Sequence, residues 1–209
     1  MGLLLNFGMF KIGWLSSVIG GAQHLPWLGP LAMFLIVAVH LFRASEPERE
    51  LVLVVLAGMI GACFDSLLVT MNWVTYPSGL FLESMAPYWI ISMWMLFATT
   101  LNVSLRWLKG RYLLAAALGL VAGPLAYIGG EKLGGILFVD RNAGLAALSV
   151  GWGLIMPVLV VLAERFDGVQ GSTGAAALDA LRGELITDAL DLGNPATPLV
   201  LAEMAGAPA

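Results

Sequence analysis

A carboxylate in the middle of an apolar run is the first residue of this chain equipped for chemistry. Asp65 lies within 51–71, a stretch with no other charged residue. An ionised side chain at the centre of a membrane helix costs about 2.5–3.5 kcal/mol on insertion scales, so such residues are rare and find partners, ions or substrates. Residues four apart share a helix face. Ala57, Gly61 and Asp65 therefore fall on one line, with Asn72 seven residues further on. Gly119 and Gly123 lead in the same way to Tyr127 and then Glu131. These four polar residues are expected to form one pocket: Asp65 as charge or proton site, Asn72 beside it, Tyr127 as hydrogen-bond donor and Glu131 as entrance carboxylate. The rival reading of Asp65 is structural, a carboxylate that only accepts hydrogen bonds across helices.

Lys11 is the candidate counter-ion. Its depth differs from that of Asp65 by roughly 9 Å at 1.5 Å per residue, within much of a lysine's reach. It also lies about 200° around the helix from Gly13, away from the Gly13/Ser17/Gly21 row. The alternative is that its ammonium snorkels to the interface.

Other chemistry is not encoded in recognisable form. The chain has no H-E-x-x-H, G-x-S-x-G or G-x-x-x-x-G-K pattern. His24 and His40 fall on opposite sides of the expected threading, with His40 meeting the interface or a backbone carbonyl. Cys63 is the only cysteine, which excludes an intramolecular disulfide and reads as a buried small hydrophobe. No catalytic set, metal or cofactor is implied. The net charge of −4 gives no basic footprint for nucleic acid.

The elements that must position these residues are membrane helices. The chain is 59% hydrophobic and 11% charged, with mean hydropathy +0.89. Soluble domains run at about 45–50% apolar and about 25% charged. A membrane span needs about 17–25 apolar residues, and six runs qualify: 3–21, 25–42, 51–71, 87–105, 112–128 and 143–163. The first run has no basic residue before it and is interrupted by Lys11, so it reads as a retained span and not a signal peptide. Basic residues retained on the cytoplasmic side set the orientation. With the N-terminus inside, Arg43, Arg49, Arg106, Lys109, Arg111, Arg165 and Arg182 lie there, against Lys132 and Arg141 outside. The expected fold class is an all-α polytopic bundle of six transmembrane helices, both termini cytoplasmic, in the inner membrane.

Small residues let such helices approach closely. Gly13, Ser17, Gly21, Gly61, Gly119, Gly123 and Gly151 are the expected packing positions. Trp27, Trp73, Tyr76 and Trp89 read as interfacial aromatics at headgroup level, with a substrate lid as the second reading of the 72–86 loop. Leu133–Val139 is apolar but too short to span. It reads as re-entrant, as interfacial, or as an extension of the fifth helix. Pro30, Pro124 and Pro157 are expected to kink their helices.

The membrane domain is expected over 1–165 and a cytoplasmic acidic tail over 166–209. Within the tail, 175–192 carries a helical stripe of Leu178, Leu181, Leu185, Ala189 and Leu192. Its acidic residues disfavour an anionic leaflet, so docking on a protein partner and disorder are the two readings; disorder is expected after 195.

Asn6 before a Trp14-containing first helix, Asp65 in the third, Pro87-Tyr88-Trp89, Trp94-Met95-Leu96-Phe97-Ala98, Gly123-Pro124-Leu125-Ala126-Tyr127, and Trp152 with Pro157 form an ordered set of landmarks. Over about 3–165 the chain resembles an uncharacterised, domain-of-unknown-function family of small bacterial inner-membrane proteins. That resemblance implies a lipid-related setting and no established activity. The functional expectation is an integral membrane protein that binds, moves or presents a small amphiphile or ion. Its partners are the bilayer and a lipid-like ligand. The alternatives are a scaffold for a membrane-associated lipid-modifying enzyme, and an intramembrane enzyme using Asp65 and Glu131 as acid and base.

Overall fold

The computed structural model describes residues 2–169, which form six α-helices, a short 3-10 helix (Arg106–Leu108) and one pair of two-residue strands. The helices are α1 (Leu3–Ala22), α2 (Leu28–Arg43), α3 (Pro47–Thr70), α4 (Tyr88–Leu101), α5 (Tyr112–Lys132) and α6 (Arg141–Arg165). α1, α3, α5 and α6 are long and apolar enough to cross a membrane; α2 and α4 are shorter apolar helices of 16 and 14 residues. The expected all-α bundle is therefore present, with helices at each of the six apolar runs. The tail features expected over 175–192 and after 195 lie outside the described residues.

The ends of the helices follow from local chemistry. His24 and Asn72 adopt positive φ, 57° and 55°, just past α1 and α3. The next N–H then folds back, from Leu25 to the Gly20 carbonyl and from Trp73 to the Leu68 carbonyl, which satisfies carbonyls the helix leaves free. Pro47 opens α3 where a missing N–H costs nothing. The Asp140 side chain accepts from the Ala143 N–H and caps α6. Pro124 and Pro157 lie inside α5 and α6, whereas Pro30 sits in the first turn of α2.

Successive helices alternate in direction, as contacts at both ends show. The Asn6 side chain near the start of α1 donates to the Thr99 carbonyl at the end of α4. At the opposite end, Gly21 lies against the Trp89 indole. α4 packs against α1, α2, α3 and α6, and α5 against α6, so α4 is the centre of the bundle and most of its residues are buried. Bare backbones make the close contacts: Gly13 meets Leu96, Gly29 meets Ser17, Gly61 meets the Trp94 ring, Gly119 and Gly123 meet Trp152, and Gly151 meets Phe64. A Cβ at Gly61 would overlap the Trp94 indole, so the third and fourth helices require glycine there.

The connection between α3 and α4 folds onto the end of the bundle. Its strand β1 (Val74–Thr75) pairs antiparallel with β2 (Leu137–Phe138). Ser78 donates to the Gly21 carbonyl, Trp89 Nε1 donates to the Ser78 carbonyl, and the Ala86 N–H donates to Ser66 Oγ. The segment after α5 is thus not a helical extension: Gly134, at φ 83°, turns the chain into β2. Cys63 is exposed on the outer face of α3, so the expected burial of this thiol does not hold.

Candidate functional site

Asp65 is fully buried in α3. Its carboxylate is held by three neutral donors. Oδ1 accepts from the Tyr76 and Tyr127 hydroxyls at 2.8 and 2.6 Å, and Oδ2 accepts from Trp94 Nε1 at 2.7 Å. Three separate segments deliver these donors: the loop after α3, the middle of α5 and the middle of α4. Asp65 forms no ion pair among the described residues. Burial first, and the adjacent Asp65 carboxylate second, push the Tyr76 hydroxyl well above the ordinary tyrosine range, so this loop phenol remains a donor.

The other residues expected around Asp65 stand elsewhere. Asn72 caps the end of α3 with its side chain exposed, because the left-handed backbone that stops the helix turns it off the Asp65 line. Glu131 pairs with Arg141, one turn beyond Tyr127 at the rim of the bundle. Lys11 Nζ lies 5.7 Å from the Phe7 ring centroid and 5.6 Å from that of Trp14, on its own helix and not at Asp65. Of the aromatics expected at the interface, Trp27 is 53% exposed and Trp73 is partly buried, but Tyr76 and Trp89 are 4% and 0% exposed. Tyr76 and Trp89 therefore depart from that expectation. Each has a polar atom that finds an acceptor within the fold, Asp65 for Tyr76 and the Ser78 carbonyl for Trp89, which draws the ring inward.

Trp94 and Tyr127 also have a second face. Both line a groove of about 470 Å³ bounded by α1, α4, α5 and α6. Phe7, Phe10, Trp14, Met93, Phe97, Leu118, Ala122, Leu125, Ala126, Gly129, Ile136, Trp152 and Met156 supply most of its wall. Trp94 and Trp152 stack at 4.4 Å between ring centroids, and Phe97 meets Trp152 edge-on. Phe7 and Leu125, 50% and 60% exposed, stand at the mouth. Lys11 is the only charged residue among the described residues of the lining. The volume falls within the ~300–1,000 Å³ of small-ligand sites, and a mostly apolar wall with few polar groups is their usual composition.

A second buried carboxylate escaped sequence reasoning. Glu50, near the start of α3, is fully buried. Its Oε2 lies 2.7 Å from His40 Nε2, and its Oε1 accepts from Asn102 Nδ2 and the Gly168 N–H, both at 2.7 Å. His40 thus meets a carboxylate, not the interface or a backbone carbonyl. Beside this cluster, Arg106 and Lys109 pair with Asp167. Glu50 falls in the charged run 46–50, which reads as a solvated helix start; no spacing in the sequence marks it as interior. Trp94 did carry a signal. A tryptophan well inside an apolar run, away from the interfaces where the residue concentrates, needs an acceptor for its N–H.

A family model described as protein of unknown function (DUF2878) matches residues 3–158. No curated protein and no solved structure gives a match. The matched segment holds Asp65, its three donors and nearly all of the helical bundle, and the chain belongs to the DUF2878 family.

Proposed function

We propose that the protein is a multi-pass protein of the cytoplasmic (inner) membrane that binds a small amphiphile in the groove beside α1 and α5. It crosses six times with both termini cytoplasmic. Three features support this threading. The helices alternate in direction. Arg43, Arg49, Arg106, Lys109, Arg111 and Arg165 fall at the end of the bundle holding the N-terminus. Lys132 and Arg141 fall at the other. α2 and α4 cover only about 24 and 21 Å at 1.5 Å per residue, against a hydrocarbon core of about 30 Å. α4 is central and largely shielded by its neighbours, so it need not match that thickness by itself.

The observation that carries the ligand reading is the shared wall. Trp94 and Tyr127 use their polar atoms on Asp65 and present ring surface to the groove. Asp65 then acts as a polar pin that fixes the wall, not as a proton carrier. The test is to purify the wild type and an Ala122→Trp variant in mild detergent and identify bound lipids by native mass spectrometry. Ala122 is exposed and lines the groove, so the indole fills it without entering the core. Loss of a discrete lipid adduct in the variant is the expected result. An identical adduct in both proteins defeats the reading.

A scaffold role is favoured by a different observation, the complete internal pairing of Asp65. Deleting 170–209 and assaying for loss of a co-purifying membrane-associated enzyme separates the two.

A further inference from the structure

Among the described residues of the groove the charge is concentrated in one ammonium group, and the buried Trp152 Nε1 is a further donor without a partner. The hydroxyls of the groove are already committed: Ser104 donates to Asn6 Oδ1, Thr100 to the Phe97 carbonyl and Tyr127 to Asp65. Among the described residues the lining contains no acidic group and Lys11 has no ion-pair partner. Lys11 lies eight residues into α1, about 12 Å below its first residue. Its Nζ is almost equally far from the Phe7 and Trp14 rings, 5.7 and 5.6 Å. The side chain therefore rests at its own level on the groove and does not reach along the helix for the surface. An unpaired cation in hydrocarbon is costly, and an anion beside it removes that cost.

We propose, building on the groove reading above, that the ligand is a single-chain amphiphile with an anionic headgroup, a carboxylate or a phosphate monoester, whose charge pairs with Lys11. The headgroup sits at the level of Lys11, one turn from Trp14, whose ring borders Gly129. The chain lies against the apolar wall of α5, which spans about 16 Å from Leu118 to Gly129. At about 470 Å³ the groove suits one chain and not a two-chain phospholipid.

Trp14, Trp94 and Trp152 line the groove, so bromine quenching of tryptophan fluorescence reports occupancy. The probes are 9,10-dibromostearate at an alkaline pH where it is ionised, its methyl ester, and hexadecyl phosphate as a competitor. Wild-type protein is expected to bind the acid about tenfold more tightly than the ester, which corresponds to about 1.4 kcal/mol. Lys11→Gln is expected to bring the acid to the affinity of the ester while leaving the ester unchanged, which also shows that the variant is folded. Lys11→Arg is expected to keep the preference. Displacement by hexadecyl phosphate extends the class to phosphate monoesters; failure to displace restricts it to carboxylates. Equal binding of acid and ester by the wild type, or an unchanged preference in Lys11→Gln, overturns the charge assignment and leaves the groove standing. Absence of saturable quenching by either probe, or quenching untouched by Ala122→Trp, overturns the groove reading itself.

Discussion

Truncating Asp65 to alanine removes the acceptor of three buried donors, and the size of the effect follows from counting them. The Tyr76, Tyr127 and Trp94 bonds are 2.8, 2.6 and 2.7 Å. Hydrogen bonds between membrane helices average about 0.6 kcal/mol in double-mutant cycles and reach about 1.7. Three of them give about 2–5 kcal/mol for Asp65→Ala. Asp65→Asn is milder. The amide oxygen still accepts, but the amide nitrogen faces either the Trp94 N–H or the two tyrosine hydroxyls, so at least one donor loses its partner, at about 1–3 kcal/mol each. The assay is reversible unfolding in mixed micelles of dodecyl maltoside and SDS, followed by tryptophan fluorescence, with Trp94 as an internal reporter. Combining Asp65→Ala with Tyr127→Phe closes a cycle, and the tyrosine substitution is expected to cost less once the carboxylate is gone. An Asp65→Ala variant within about 0.5 kcal/mol of wild type, the range of ordinary surface substitutions, refutes the pin.

Glu50→Ala strands the donors of Asn102 and Gly168, costing about 2–6 kcal/mol at 1–3 per buried orphan. It should lower the melting temperature and expose 166–169 to limited proteolysis; an unchanged melting point with a protected segment contradicts it. Burial holds the Tyr76 proton more tightly in the folded protein than in the unfolded chain. Its contribution to stability is therefore complete below about pH 10 and is lost as pH rises beyond it. Melting curves from pH 8 to pH 11 should show a shallower decline in Tyr76→Phe than in wild type. Alkaline phosphatase fused after Gly79 should be active and fused after Ala44 or Val169 inactive; the opposite pattern reverses the proposed orientation.

The link between Asp65 and Tyr127 was legible because both continue rows of small residues, and such rows mark the faces where helices meet. Trp94 and Tyr76 were not, for opposite reasons. Trp94 faces Gly61 from another helix, a pairing that no spacing within one helix encodes. Tyr76 lies in a loop whose aromatic content matches an interfacial belt, and only tertiary folding turns it inward. Glu131 and Lys11 illustrate the limits of reading depth alone. Each lies within reach of the right level, but Arg141 captures Glu131 at the rim and the azimuth of Lys11 directs it to the groove. The β1–β2 pair was unreadable because two-residue strands leave no periodicity.

The order in which the Asp65 site is assembled during synthesis has its own consequence. Every group that holds the carboxylate is made after it, and Tyr127 follows by 62 residues. At about 5–20 residues per second of elongation, α3 exists for roughly 3–12 s before its last donor emerges. Through that interval the carboxylate lacks at least one of its three donors. Completion of the Asp65 site is therefore deferred to the second half of the chain, once α5 is made.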